Sequence, residues 1–135
     1  MNRRSFILTT AAAFTAVAKP FPRPLGVQLY TARTVLPKDV DGTLKQIAGI
    51  GYKEVELFAV NQLTEWMPII EKYGMKATSI HIPDSICLAE NQDEFVKSLE
   101  AAKKAGLEFA GVPYVAPANR GKTTDDWKIW CEKMN

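Results

Sequence analysis

The stretch "IAGIGYKEVELF", Ile47–Phe58, changes its hydrophobic period halfway along. Before Gly51 the apolar residues suit one face of a helix; after it Val55 and Leu57 alternate with Glu54 and Glu56. A period near 3.6 giving way to a period of two predicts a helix, a break and a strand. Glycine suits that break, because the left-handed end of a helix is costly for any residue with a Cβ. The same grammar returns in "IEKYGMKATSIHI", Ile70–Ile82, and in "AKKAGLEFAGVPYV", Ala102–Val115. The repeated unit is helix, glycine, short connection, strand.

Four helices follow from the spacing of apolar residues. Asp41–Ile50 places Leu44, Ile47 and Ala48 on one face. Leu63–Tyr73 does so with Trp66, Ile69, Ile70 and Tyr73; Thr64 is its expected cap, and Pro68 is tolerable only near the first turn. Asn91 with Glu94 reads as a capping box before Phe95, Val96, Leu99 and Ala102. Thr124–Met134 carries Trp127, Trp130 and Met134. Each of these stripes is expected to face a core.

Strands are expected at Gly26–Tyr30, Glu54–Phe58, Lys76–Ile82 and Phe109–Val115. Strand and helix alternating through four cycles imply an α/β protein with a parallel sheet. Either an open doubly wound sheet or part of a (β/α)8 barrel would satisfy that. The faces of the strands choose between them. Val27 and Leu29 alternate with Gly26, Gln28 and Tyr30, while Thr78, Ile80 and Ile82 alternate with Ala77, Ser79 and His81. One face is apolar and suits helices; the other is small, then polar toward the strand ends. Strands covered by helices on both faces would be apolar throughout. A barrel takes polar groups at its C-terminal mouth, so the expectation is a TIM barrel. Four βα units make half of one, and a complete barrel needs about 250 residues. The sequence therefore reads as a truncated half barrel, Leu25–Asn135.

Residues 1–18, "MNRRSFILTTAAAFTAVA", read as an export signal. Arg3 and Arg4 precede an uncharged run that ends in the small-x-small site Ala16-Val17-Ala18. The "NRRSFIL" order resembles a twin-arginine signal, which implies a periplasmic protein and no stable membrane anchor once the signal is cleaved. Residues 19–24 are the linker. Without the signal, fifteen basic residues face fifteen acidic ones, and no basic stretch is interleaved with aromatics. That composition excludes a nucleic-acid footprint. Cys87 and Cys131 form no CxxC pair, so a structural zinc site has no support.

"LGVQLYTAR" at Leu25–Arg33, "TLKQIAGIGYKEVELF" at Thr43–Phe58, "YGMKATSIHIP" at Tyr73–Pro83 and "GVPYV" at Gly111–Val115 resemble the sugar phosphate isomerase/epimerase family, with its xylose-isomerase-like TIM barrel. The resemblance implies a small sugar or sugar phosphate as partner and metal-dependent proton transfer next to a sugar carbonyl. It also implies a divalent metal (Mn, Mg or Zn), held in the family by strands of the second half. No catalytic residue and no metal ligand is therefore expected within this chain, which is expected to be inactive alone. What carries over is substrate contact: His81 at the end of the third strand, Glu56 at the end of the second, and Tyr30 and Gln28 at inward positions of the first.

Two other readings compete. One is a sugar-binding barrel remnant without catalysis. The other is an apurinic endonuclease-like zinc enzyme on the same barrel, against which the single histidine and the balanced charge argue. Half a barrel also has unpaired strand edges, which lead us to expect self-association.

Overall fold

The computed structural model describes residues 23–135; the expected export signal and most of the linker lie outside those residues. Four parallel strands, β1 (Gly26–Gln28), β2 (Glu54–Leu57), β3 (Lys76–His81) and β4 (Phe109–Gly111), form one sheet in the order β1-β2-β3-β4. Between and after them run α1 (Val40–Ile50), α2 (Leu63–Lys72), the one-turn α3 (Asp84–Cys87), α4 (Asp93–Lys104) and α5 (Thr124–Met134). A doubly wound sheet reverses its strand order after the first strands. Here the order never reverses, so right-handed crossovers keep the helices on one side and the sheet curls around the other. This is half of an α/β barrel.

Gly51, Gly74 and Gly106 all have positive φ, at 112°, 67° and 76°. Each ends its helix and turns the chain into the next strand, as the repeat implied. The core lies between the sheet and the helices. Val55, Leu57, Ala77 and Ile80 meet Leu44 and Ile47 of α1, Leu63, Trp66 and Ile70 of α2, and Ala102 of α4. A smaller cluster joins Ile82, Cys87 and Phe95, with Val112 and Met134 against it. Full burial of such a side chain contributes about 1.5–3 kcal/mol, so these residues fix which face of each strand the helices cover. Both cysteines are free: Cys87 is buried and Cys131 exposed.

The phase of β3 departs from the sequence reading. Val55 pairs with Ala77, but Glu56 pairs with Ser79, which makes Thr78 an extra residue in a β-bulge. Ala77, not Thr78, therefore shares the buried face with Ile80 and Ile82. Beyond the bulge, Ser79 and His81 are turned to the face that carries Glu56.

The expected strand through Tyr30 stops at Gln28, and Leu29–Ala32 form a 3-10 turn. Thr31 Oγ1 stabilises that turn by donating to the Gln28 carbonyl at 2.7 Å. β4 likewise ends at Gly111, short of Pro113, which has no N–H for a ladder. Thr64 does not cap α2; the helix continues from a 3-10 turn at Val60–Gln62. Pro68 sits inside it, past the first turn, with both Pro68 and Thr64 exposed, so the bond it removes lies on the water-facing side. Asn91 accepts from the Asp93 N–H at 2.8 Å instead of forming a box with Glu94. On α4 only Phe95, Ser98 and Ala102 are buried, and Val96 and Leu99 face solvent. α5 buries no residue fully among the described residues, and Trp127 is exposed.

Candidate functional site

Three successive strands deliver one polar cluster to the sheet's inner face. Gln28 ends β1, Glu56 lies in β2 opposite it, and His81 ends β3. His81 Nε2 lies 2.6 Å from Glu56 Oε1, and Gln28 Nε2 lies 3.0 Å from the same oxygen. Gln28 Nε2 and His81 Nε2 are also 3.0 Å apart. Two donors aimed at one carboxylate oxygen produce that triangle. A carboxylate at neutral pH only accepts, so the proton of the His81–Glu56 contact belongs to Nε2. His81 Nδ1 then has no partner among the described residues.

Ser79 completes the arrangement. Its hydroxyl donates to Glu56 Oε2 at 2.5 Å. Burial pushes the Glu56 carboxyl upward, but the hydrogen bonds from Ser79 and Gln28 and the His81 ring outweigh it and hold the group below its ordinary value of 4.5. The site therefore contains an ionised carboxylate with three donors already on it. Such a group anchors its neighbours; it is a poor base. Gly26, Gln28, Glu54, Glu56, Thr78 and Ser79 also line an open hollow of about 250 Å³ running down the same face.

Tyr30 does not join this cluster. From the 3-10 turn its ring stands on the rim, 49% exposed, edge-on to Phe58 at 5.6 Å. Phe58 in turn meets the buried Trp66 at 5.6 Å. Gln62 shapes that loop, its Oε1 accepting from the Phe58 and Ala59 N–H groups at 3.3 and 3.2 Å. The structure thus brings Gln28, Glu56 and His81 together and sets Tyr30 beside them. Ser79 escaped the sequence reading because strict alternation assigned it no partner. Its signal was the spacing in "SIH", which puts Ser79 on the same strand face as His81, two residues on.

Across the mouth, Asp84 ties the loops after β3 and β4 together. Its Oδ2 accepts from the Ala116 N–H at 2.7 Å and from Asn119 Nδ2 at 3.0 Å. Those bonds, Asn119 foremost, hold the Asp84 carboxyl below its ordinary value.

No family model matches the sequence, and no curated protein matches it. Solved structures do match the fold. One, described as a sugar phosphate isomerase/epimerase from Parabacteroides distasonis, superposes with a TM-score of 0.65 at 20% identity over 87% of this chain and 47% of that one. A second structure of that description and organism gives 0.59 at 19% identity, over 82% and 47%. The chain spans about half the length of these structures, which agrees with four βα units of an eight-unit barrel.

Proposed function

We propose that this chain supplies a substrate-contacting wall of a sugar isomerase or epimerase barrel. The observation that carries the reading is the convergence of Gln28, Glu56 and His81 from three successive strands. They meet at the strand ends, where barrels of this class hold their ligands. Gln28 and His81 offer hydrogen bonds to sugar hydroxyls, Glu56 and Ser79 hold His81 in place, and Tyr30 borders the ligand at the rim.

In the complete barrel the reaction would be proton transfer next to the sugar carbonyl. A divalent ion (Mn²⁺, Mg²⁺ or Zn²⁺) would stabilise charge on the carbonyl oxygen. The cluster described here does not fit such an ion. Glu56 already accepts from three donors, His81 Nε2 carries a proton, and among the described residues no three His, Cys, Asp or Glu side chains converge. No step is assigned through the metal, and its ligands are proposed to lie outside these 135 residues. The three donors on Glu56 favour a second reading, a sugar-binding barrel without turnover.

Export through residues 1–18 to the periplasm belongs to the same proposal. Among the described residues no helix is long and apolar enough to cross a membrane.

Titration of the ¹⁵N-labelled chain with neutral aldoses and ketoses tests the reading. The resonances of its only histidine should shift saturably, and His81→Ala should remove binding while leaving the melt intact. A set of sugars that leaves His81 unmoved would sink it.

A further inference from the structure

The turn after β1 holds a cation that the Gln28–Glu56–His81 cluster does not use. The guanidinium carbon of Arg33 lies 4.3 Å from the centre of the Tyr30 ring. Its Nη1 donates to the Tyr30 carbonyl at 3.0 Å. These two contacts hold the guanidinium against the ring and its backbone carbonyl. The Nε and Nη2 donors have no partner among the described residues, and no carboxylate of those residues is within ion-pair reach of Arg33. Behind it, Tyr30 rests on Phe58 and Phe58 on the buried Trp66. A row of three rings thus seats a guanidinium on the rim above β1 and β2, the strands that carry Gln28 and Glu56.

An arginine in water normally spends rotamer freedom when it binds. Arg33 is already held against Tyr30, and among the described residues no carboxylate pairs with it. A planar fork of this kind matches the oxygens of a phosphate or carboxylate. The neighbouring negative charge does not oppose such a ligand strongly, since the Glu56 carboxylate turns inward onto three donors. Arg120 repeats part of the pattern after β4, 5.4 Å from the centre of the Tyr114 ring. Its Nε, however, is taken by the Val115 carbonyl at 3.0 Å, which breaks the side-on edge of the fork.

We propose that Arg33 is the anion-binding residue of this site, taking the oxyanion of a phosphorylated or carboxylated sugar whose hydroxyls meet Gln28 and His81. The inference rests on the sugar reading for the hydroxyl contacts and on Arg33 alone for the charge.

The test uses the full ¹⁵N-labelled chain and four probes: glucose 6-phosphate, gluconate, glucose and inorganic phosphate. Glucose 6-phosphate or gluconate should bind tighter than glucose and move the Arg33 Nε–H resonance; whichever binds tighter identifies the oxyanion. Arg33→Gln should weaken that ligand about tenfold or more, to the level of glucose, as expected for losing a charge-assisted contact. Arg33→Lys should fall between, because it keeps the charge and loses the fork. It also keeps the test decisive should Arg33→Gln fold poorly. Arg120→Gln should change nothing. Inorganic phosphate moving Arg33 while glucose leaves His81 untouched would support the anion site and overturn the sugar reading. Glucose binding as tightly as its charged relatives would overturn the anion site, as would Arg120→Gln causing the loss expected of Arg33→Gln.

Discussion

Glu56 and Ser79 stand opposite each other in the β2–β3 ladder only because Thr78 is an extra residue between Ala77 and Ser79. Strand side chains alternate with a period of two, so Ala77, Ser79 and His81 would otherwise share the helix-facing side. The bulge turns Ser79 and His81 inward while leaving Ala77 buried beside Val55.

Deleting Thr78 should therefore be tolerated. Ala77 would still face the helices, Ser79 the inner face, Ile80 the helices and His81 Glu56, now without the bulge. Deleting Ile80 should be disastrous, since it sends His81 into the core and Ile82 out of it. Cooperative thermal melts of the two deletion variants would compare them. Equal loss in both would show that the bulge does not set the register.

The Glu56 contacts imply a dependence on acid. Its folded pKa lies below 4.5, so the stability it contributes is present above the ordinary carboxylate range. That stability is lost as pH falls through the lowered value. The stability difference between the native chain and Glu56→Gln should be at most about 1 kcal/mol near pH 6, given the partial exposure of the carboxylate, and should shrink toward pH 3. Urea titrations at a series of pH values would measure it. A difference that grows on acidification would reverse the sign of the argument.

Among the described residues β1 and β4 each have a single neighbour in the sheet, and all three residues of β4 are exposed, Phe109 by 67%. Open parallel edges and an uncovered apolar ring invite pairing with another chain. The isolated chain should dimerise or form larger species in light scattering. A monodisperse monomer with a cooperative calorimetric transition would contradict this.

Alone, the chain should show no isomerase or epimerase turnover with added Mn²⁺, Mg²⁺ or Zn²⁺. Joined to the C-terminal half of a homologous barrel, it should gain metal-dependent activity. In that hybrid, His81→Ala should lower kcat/KM by roughly 10- to 1000-fold with little change in melting. Normal turnover accompanied by a large stability loss would make His81 a structural residue.

The repeat was legible in sequence because it is local chemistry. A glycine follows each of α1, α2 and α4, and Val55 and Leu57 alternate with Glu54 and Glu56, whatever else the chain does. What escaped depended on partners. The phase of β3 is decided by its pairing with Glu56, and no pattern within "KATSIH" reveals an extra residue. Tyr30 continues the alternation of β1, yet Thr31 pulls the backbone into a turn just before it. Of the cluster, Gln28, Glu56 and His81 were readable as polar residues at strand ends. Ser79 was not, since its role exists only across the ladder. The apolar stripe of α5 was visible, but helical period says nothing about whether a neighbour covers it. Trp127 remains exposed.

The two thiols give the fold a built-in clock. Burial and the nearby Asp84 charge push the Cys87 thiol above its ordinary value of 9.0, while Cys131 stands in solvent. An alkylating reagent should therefore consume one equivalent at once, and the second only as fast as the Ile82–Cys87–Phe95 cluster opens. Mass spectrometry of the labelled chain would thus time the breathing of the loop that follows His81, with neither a substrate nor an engineered probe.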